Sequence, residues 1–518
     1  MIRCSAKLAS GAAVVFMLAG LVAGAGDEGK EIKMEIGRYG FRHDPMKWVE
    51  SSKSLQAAQV RTVIFAKPQA GDADLLAKEI DRILSLQQDD GQLADNTPGN
   101  LIRLSRLGCS PDRPEIKRAV AAMCQKSLAT EGHEKDKGEL GCYDIQAAAW
   151  GNYGDKEVLK TSVRIMAERV MTMNFWHACP WSGEIQLQAL WDGREHADVS
   201  AALEHGLKTL NDGIEQEACW PNFLDPWGWL DCAGRIDHPL AKRLMIKMLP
   251  FILRAQHDDG TWGGMGHLGY GPGDRTFLVL RGLARHELLE PLRQLPPLPP
   301  DWKVGRTIQA PDGDYQTMTW DGRQFWLYDR KTGEAVAVTA ADGKVAARVK
   351  LPTKVTGIGS MDGKLLVVRE KPKTLLLIDP ASGKTEKTLA LKFWGDAGSV
   401  TQVGDQLAVG NVHCGGANFV TTFEDKKFPH RQFGASAPVD MAGDGDTIWH
   451  IDDFSPVIIK NTLDKEHTRR LDWGGNPFAQ HTTGIAFDGA NLWVLDNKHN
   501  QICMIEKSAE PTVSDDKQ

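Results

Sequence analysis

The chain has 518 residues, of which 42% are hydrophobic and 25% are charged, and its formal net charge is −7. This length exceeds one ordinary core and predicts two or three folded units, since domains average roughly 150 residues. The composition excludes a largely disordered protein, and a negative charge without a dense lysine or arginine stripe argues against a nucleic-acid partner.

The first residues predict a secretory signal peptide. Arg3 and Lys7 precede an apolar run from Leu8 to Val22, and small residues follow at 23–25. We therefore expect cleavage after residue 25 (signal peptide 1–25), a periplasmic or extracellular location, and an N-terminal extension over 26–43. An uncleaved anchor is the alternative, although the run is shorter than the roughly 20 apolar residues that span a bilayer.

Eight cysteines remain when the predicted leader is removed. None of them forms a CxxC pair, and they are spread over the whole chain. An exported protein can pair such residues, but buried, inert thiols are an equally good interpretation. The eight are Cys109, Cys124, Cys142, Cys179, Cys219, Cys232, Cys414 and Cys503.

Residues 44–292 repeat one pattern with a period of about 40 to 50 residues, in which a long amphipathic helix alternates with a shorter, more apolar one. The longer helices are predicted at 75–86, 115–128, 156–171, 199–210 and 240–255. The shorter ones are predicted at 100–107, 144–152, 184–191, 227–235 and 274–285, and 46–64 supplies a further helix. Pairing a half-polar with an apolar helix suits a double ring, so we predict an α/α toroid of five or six hairpins.

Two segments resemble a known repeat. Phe251–Trp262, which contains Gln256, Gly260 and Trp262, resembles the Gln-Trp repeat of squalene and related triterpene cyclases, and Ile83–Leu93 resembles a decayed copy. The resemblance implies the terpenoid cyclase and prenyltransferase toroid. It also implies that the glutamine caps a helix, the glycine permits a turn and the tryptophan packs against the next repeat.

The resemblance does not extend to the chemistry of that superfamily. The Asp-x-Asp-Asp acid of protonating cyclases is absent. Cys142-Tyr143 resembles part of the prenyltransferase zinc segment, but position 140 is leucine where the ligand aspartate belongs. His177 and Cys179 could complete a thiolate-imidazole site with Cys142, and packing roles for these residues are the alternative. The metal and the cofactor therefore stay unknown.

The predicted inner helices begin with aromatic and acidic residues, which would gather at one mouth of the ring. Such groups suit sugar binding and acid/base cleavage, so Asp144, Glu184 and Asp231 are the acid/base candidates. The ligand-binding candidates are Tyr143, Trp181, Trp227, Asp274 and Arg275. The alternative is structural, because an acid in a first turn stabilises a helix by about 0.3 to 1 kcal/mol.

Five prolines between 291 and 300 mark a linker over 293–301. Beyond it, over 302–508, Gly-bearing corners recur about every 40 to 44 residues, each before a short apolar strand, and 509–518 is a polar tail. This period predicts a roughly five-bladed β-propeller, with six blades as the alternative. Residues 303–308 are expected to supply the strand that the last blade lacks.

Polar residues follow the second strand of each predicted blade, at Asp329, Glu370, His413, Asp452 and Asp496, and these loops share one face. Solvated loop tips are the favoured interpretation, and a ligand or metal site is the alternative.

These patterns predict a multidomain α and β protein that binds or processes an extracytoplasmic ligand in the toroid. Carbohydrate is favoured over an apolar small molecule, and the propeller is expected to dock a protein partner on one face. The alternatives are a non-enzymatic envelope scaffold and a terpenoid cyclase or prenyltransferase-like enzyme without the acid motif. Whether the protein is an enzyme stays open, because the chain has no phosphate-cradling loop, GxSxG elbow or HExxH motif.

Overall fold

A computed structural model describes the residues from Ile36 to Ser508, apart from residue 95, 132–136, 173–179, 217–225, 265–272, 274, 413–414, 433–437, 454–455, 464–469 and 479–480. The predicted signal peptide, most of the N-terminal extension and the polar tail lie outside this part of the chain. The chain from Ile36 on forms one compact unit, which combines helices with a β-propeller.

The helical half (residues 36–300) contains thirteen described α-helices. They are α1 Pro45–Ser51, α2 Leu55–Gln59, α3 Asp72–Leu84, α4 Thr97–Arg106, α5 Pro114–Ala129, α6 Cys142–Trp150, α7 Lys156–Thr172, α8 Pro180–Gly193, α9 Ser200–Gln216, α10 Pro226–Arg235, α11 Pro239–Arg254, α12 Thr276–Arg285 and α13 Leu289–Gln294. A π-helical turn, Val60–Ile64, extends α2.

The ten alternating helices are confirmed, with ends that differ by a few residues from the predicted ones. The further helix predicted over 46–64 is divided, because Ser52 and Ser54 interrupt it: Ser52 ends α1 and the Ser54 hydroxyl caps α2. The sequence did not predict α13.

The shorter helices pack against one another in chain order: α4 on α6, α6 on α8, α8 on α10 and α10 on α12. The last contact is close because both helices carry glycine where they cross. A Cβ on Gly234 would lie 2.8 Å from the Cα of Gly282. Helix α12 also packs against α2, and the Gln59 amide of α2 donates to the Arg106 carbonyl at the end of α4 (2.8 Å).

The turn after α11 is tied to a distant segment by one glutamine. The Gln256 amide donates to the carbonyls of His43 (2.7 Å) and Gly260 (3.2 Å), and its oxygen accepts from the His43 N–H (3.0 Å). Gly260 has φ +86°, which disfavours any side chain there. Trp262 is fully buried and donates from Nε1 to the Ile252 carbonyl (2.7 Å).

The turn after α3 has the same construction. The Gln87 amide donates to the carbonyl of Gly91 (3.0 Å) and to that of Glu115 at the start of α5 (2.9 Å). Gly91 has φ +90°, and Leu93 is buried where the other copy has tryptophan. The glycine therefore permits the turn, as the repeat resemblance implied, whereas the glutamine ties the turn to another segment and does not cap the preceding helix.

We predict that Gln256→Ala lowers the free energy of unfolding by about 2 to 3 kcal/mol, because it removes three hydrogen bonds of a buried side chain and leaves backbone groups unpaired. Urea denaturation measures the change. Gln88→Ala, at an exposed glutamine, is the control and should leave the midpoint unchanged. Equal midpoints for the two variants would contradict this role of Gln256.

The propeller consists of five four-stranded antiparallel sheets. Four blades run in chain order: β2 Tyr315–Trp320 to β5 Val345–Lys350, β6 Val355–Met361 to β9 Thr385–Ala390, β10 Ala397–Val403 to β13 His430–Gln432, and β14 Pro438–Asp444 to β17 Arg470–Gly475. The intervening strands are β3 Gln324–Asp329, β4 Glu334–Thr339, β7 Lys364–Glu370, β8 Lys373–Ile378, β11 Gln406–Asn411, β12 Gly416–Val420, β15 Thr447–Asp452 and β16 Val457–Thr462.

The fifth blade joins both ends of the propeller. Its strands β18 Thr482–Phe487, β19 Leu492–Asp496 and β20 Gln501–Lys507 are completed by β1 Trp302–Gln309, which pairs antiparallel with β20. The first strands of neighbouring blades pack against one another all the way round, from β2 through β6, β10 and β14 to β18 and back to β2. Five blades and the predicted closing strand are therefore confirmed.

Two of the Asp-Gly corners hold a tryptophan of the following strand. The Asp321 carboxylate accepts from the Gln324 N–H (2.8 Å) and from Trp326 Nε1 (2.7 Å). Asp488 repeats the arrangement, with Trp493 Nε1 at 2.7 Å. The corner aspartates thus orient large core side chains as well as turning the chain.

Asp301, at the end of the proline-rich segment, links the helical half to the propeller. Its carboxylate accepts from Arg42 Nη2 (3.3 Å), from Arg254 Nε at the end of α11 (2.8 Å) and from the Gly475 N–H of β17 (2.9 Å). The Arg254 guanidinium also lies over the Trp473 ring, 5.0 Å from its centroid. These contacts fix the fourth blade against the helical half.

The five cysteines in the described part of the chain are all buried: Cys109, Cys124, Cys142, Cys232 and Cys503. Burial raises the pKa of Cys124 to about 12, which makes its thiol unreactive. Among the described helices, none has the length and apolar character needed to cross a membrane.

Candidate functional site

A pocket of about 340 Å³ opens between the turn before α4, the end of α5 and the start of α6. Leu93 and Met123 contribute to its wall, but most lining side chains carry amide, hydroxyl or charged groups. These include Gln88, Gln92, Asn96, Lys126, Thr130 and Asp144. The pocket is therefore suited to a ligand with many hydrogen-bonding groups.

Asp144, one of the three predicted acid/base residues, lies in the wall of this pocket. Its Oδ2 accepts from Ser127 Oγ (2.5 Å) and from the Gly141 N–H (3.1 Å), which caps α6. Both partners hold the carboxylate in place at the pocket edge. A first-turn acid also stabilises the helix dipole, so Asp144 has a structural role as well.

Glu184 and Trp227 lie in the core and do not line this pocket. The Glu184 carboxylate occupies space left by Gly228, whose Cβ would come within 2.8 Å of Glu184 Oε1. Trp227 is fully buried and packs edge-on against Phe251, with ring centroids 5.0 Å apart. The platform role predicted for Trp227 does not fit this burial.

The remaining predicted ligand contacts are spread over several helix starts. Tyr143 is 44% exposed and precedes Asp144 in the first turn of α6. Arg275 directly precedes α12. Trp181 belongs to α8, but its side chain, like Asp274, lies outside the described residues.

The predicted metal site gains no support within the described part of the chain. No group of three histidine, cysteine, aspartate or glutamate side chains there is arranged to hold a metal ion. Cys142 is buried at the start of α6, with its Sγ 3.9 Å from Met166 Sδ. His177 and Cys179 lie outside the described residues.

Asp231, the third predicted acid/base residue, is bound by arginines of two other helices. Arg106 of α4 donates from Nη2 to Oδ2 (2.5 Å), and Arg281 of α12 donates to Oδ1. Burial raises the pKa of Asp231, but the nearby guanidinium groups, which include those of Arg106 and Arg281, outweigh it and lower the pKa to about 2. An acid this strong stays ionised near neutral pH, so Asp231 does not fit the role of a proton donor.

A second ion pair lies next to this one. Arg235, the last residue of α10, pairs through two nitrogens with the Asp192 carboxylate of α8. Its Nη1 donates to Gln146 Oε1 of α6 (2.9 Å) and lies 3.5 Å from Gln188 Oε1 of α8. We call Arg106, Arg235, Arg281, Asp192 and Asp231 the arginine cluster. All five of the shorter apolar helices contribute a side chain to it or to its hydrogen bonds.

Two of the polar residues at the ends of the second propeller strands, Asp329 and Asp496, cap their own loops, and His413 lies outside the described residues. The Asp329 carboxylate accepts from the Lys331 N–H (2.9 Å) and from Thr332 Oγ1 (2.8 Å). Asp496 accepts from the Lys498 N–H (3.1 Å). These two carboxylates are buried and satisfied within their own turns, which fits the structural interpretation of the loops.

Asp440 is a buried carboxyl among the first strands of three blades. It belongs to β14 and accepts from Thr317 Oγ1 (2.9 Å) and the Met318 N–H (3.0 Å) of β2, and from the Ile485 N–H of β18 (3.0 Å). Burial raises the pKa of Asp440 to about 7, although these donors oppose the rise. Asp440 was not among the residues predicted from the sequence.

The arginine cluster and most of the pocket residues were also missed. Arg106 and Arg235 each end a short apolar helix, where a basic residue is explained by the helix dipole alone. The sequence contained one indication of the cluster, because two different repeats carry arginine as the last residue of the short helix. Gln88, Gln92 and Lys126 lie on turns and helix ends that have no distinctive spacing.

No protein-family model matches the chain, and no curated protein matches it. Three solved structures that resemble it are glutaminyl cyclase of Myxococcus xanthus, virginiamycin B lyase of Staphylococcus aureus and the Cps50 (Swd1) β-propeller domain of Myceliophteria thermophila. In that order, their sequence identities to this chain are 10%, 17% and 10%, and their TM-scores are 0.33, 0.26 and 0.28. The matches cover 40%, 41% and 40% of this chain, and 97%, 69% and 100% of the three solved chains. Likenesses this weak say nothing about activity.

Proposed function

We propose that this protein is exported and binds carbohydrate in the helical half, and that the propeller is its docking module. The observation that carries the proposal is the polar lining of the 340 Å³ pocket, which includes Asp144 and Lys126. Sugar rings present closely spaced hydroxyl groups, and such ligands need convergent amide, hydroxyl and carboxylate partners.

We further propose that the helical half is a closed double ring. Its support is the order of packing, in which each short apolar helix contacts the next from α4 to α12. Helix α12 then contacts α2, which is hydrogen-bonded to the end of α4 through Gln59. Six inner elements in cyclic order fit the toroid that the repeat resemblance implied.

The same lining disfavours an isoprenoid ligand. A terpenoid chain requires a long apolar or aromatic wall, whereas the pocket presents Gln88, Gln92 and Asn96 beside a small apolar area. Burying a hydrocarbon against these amides would strip them of water without replacing their hydrogen bonds. Carbohydrate is therefore the better proposal of the two.

Binding is a better proposal than cleavage at this pocket. Glycoside hydrolysis uses two carboxyl groups roughly 5 to 10 Å apart on either side of the bond. Of the three predicted acids, Asp144 alone lines the pocket, while Glu184 is in the core and Asp231 is paired with arginines.

The docking proposal for the propeller rests on Trp394. This side chain is 72% exposed in the connection between β9 and β10. An exposed tryptophan is an effective anchor for a protein partner, because it buries a large apolar area on binding.

Isothermal titration calorimetry with a panel of neutral, acidic and amino oligosaccharides tests the proposal. We expect at least one class to bind, and Asp144→Asn and Lys126→Ala to weaken that binding about tenfold or more, since a hydrogen bond to a charged group contributes about 1.5 to 3 kcal/mol. Trp394→Ala is the matched control and should retain full affinity.

Two results would contradict the proposal. If Trp394→Ala loses sugar binding while Asp144→Asn keeps it, the sugar site lies on the propeller and not in the pocket. Failure of every oligosaccharide to bind the folded protein would favour the non-enzymatic scaffold instead.

A further inference from the structure

The arginine cluster carries more positive than negative charge. Three guanidinium groups, from Arg106, Arg235 and Arg281, contact two carboxylates, those of Asp192 and Asp231. Each carboxylate is already engaged by at least two donor nitrogens. Within these five residues, positive charges outnumber negative ones by one, and the side chains are mostly shielded from water.

Two donors of the cluster have no acceptor. The Nε–H groups of Arg106 and Arg281 are buried, and neither has a hydrogen-bond partner among the described residues. An unpaired buried donor of a charged group costs more than about 1 to 3 kcal/mol, so native proteins rarely leave one without a purpose. Both arginines donate to the same carboxylate of Asp231, so their guanidinium groups border one common acceptor.

Solvent can reach one side of the cluster, although the two unpaired Nε atoms are themselves buried. The side chain of Arg106 is 30% exposed, whereas those of Arg281 and Arg235 are 16% and 15% exposed. Arg106 therefore forms the accessible side of the cluster, and the other two form its interior. A small anion could approach the outer guanidinium without unfolding any helix.

We propose that the arginine cluster is a binding site for an oxyanion group, a carboxylate or a phosphate, of a small ligand. Planar guanidinium groups bind both kinds of oxyanion through paired N–H donors, and the anion would supply the missing negative charge. A bound water could accept a hydrogen bond from one of the unpaired N–H groups, but it would not balance the positive charge. This site is separate from the pocket at Asp144 and does not depend on carbohydrate binding there.

Calorimetric titration of the full-length protein at low ionic strength tests the proposal with three probes. Inorganic phosphate and glucuronate represent the two oxyanions, and glucose is the neutral control. We expect one of the two anions to bind, glucose not to compete with it, and Arg106→Gln to weaken it about tenfold or more, as loss of a charged hydrogen bond predicts. Arg82→Gln removes an exposed arginine paired with Glu79 and should not change the affinity.

A second variant separates binding from folding. Arg281→Met combined with Asp231→Leu replaces a buried charge pair by apolar side chains, which a fold often tolerates. We expect the double variant to fold with an unchanged circular dichroism spectrum and to lose anion binding. The proposal is overturned if neither anion binds the native protein, or if Arg106→Gln and the double variant bind as tightly as the wild type.

Discussion

Replacing Asp301 with alanine is expected to lower the free energy of unfolding by about 3 to 5 kcal/mol, the usual cost of removing one partner of a buried ion pair. The carboxylate has three donors, Arg42, Arg254 and the Gly475 N–H, and is 9% exposed. Its loss leaves two guanidinium groups without a counter-charge where the helical half meets the propeller. Differential scanning calorimetry should show a lower midpoint and a separate transition for each half.

Asp258→Ala is the control for this effect. Asp258 is 78% exposed, in the turn after α11, and lies 3.8 Å from His43 Nε2. We expect its removal to change the free energy of unfolding by less than about 1 kcal/mol, because exposed ion pairs contribute little. A single unshifted transition for Asp301→Ala would show that the two halves are held together by other contacts.

The stability of the propeller is expected to fall as pH rises from about 4 to about 7. Burial raises the pKa of Asp440 from 3.8 to about 7, so between these values the folded protein holds a proton that the unfolded chain releases. Stability is then fully present below the unfolded pKa and is lost as pH rises through the folded pKa. One pKa unit corresponds to about 1.4 kcal/mol, so the change attributable to Asp440 is up to about 4 kcal/mol.

Asp440→Asn separates this carboxyl from the other titrating groups. The amide does not ionise, so the difference in free energy of unfolding between wild type and Asp440→Asn should change with pH across this window. Asp405→Asn, at an exposed corner, is the control, and its difference from the wild type should stay constant with pH. Urea denaturation at a series of pH values measures both differences. If the difference in free energy of unfolding between wild type and Asp440→Asn does not change with pH, the titration assigned to Asp440 is contradicted.

The propeller could be predicted from the sequence because its signals are local and repeated. Each Asp-Gly corner, such as Asp321-Gly322, precedes a strand whose aromatic or aliphatic residues are buried. The closing strand was predictable for the same reason, since the last blade lacked one strand and residues 303–308 had no blade of their own. The alternating helices followed equally from their periodicity.

The site was much harder to predict because its contacts are between distant residues. Arg106 and Asp231 are separated by 125 positions, and Arg281 joins them from a third helix. The sequence indicated Asp231 as an acidic residue of an inner helix, but its ionisation depends on these two partners. Trp227 shows a related difficulty, because a tryptophan at a helix start has the same sequence pattern whether it contacts a ligand or, as it does here, packs against Phe251.

Sugar binding in the polar pocket of the helical half is tested most directly by hydrogen–deuterium exchange with and without the best oligosaccharide of the panel. We expect slower exchange in the turn before α4, at the end of α5 and at the start of α6, where Asp144 lies. Exchange in the strand β10, which follows Trp394, should not change. Protection confined to the propeller, with none around Asp144, would contradict sugar binding in this pocket.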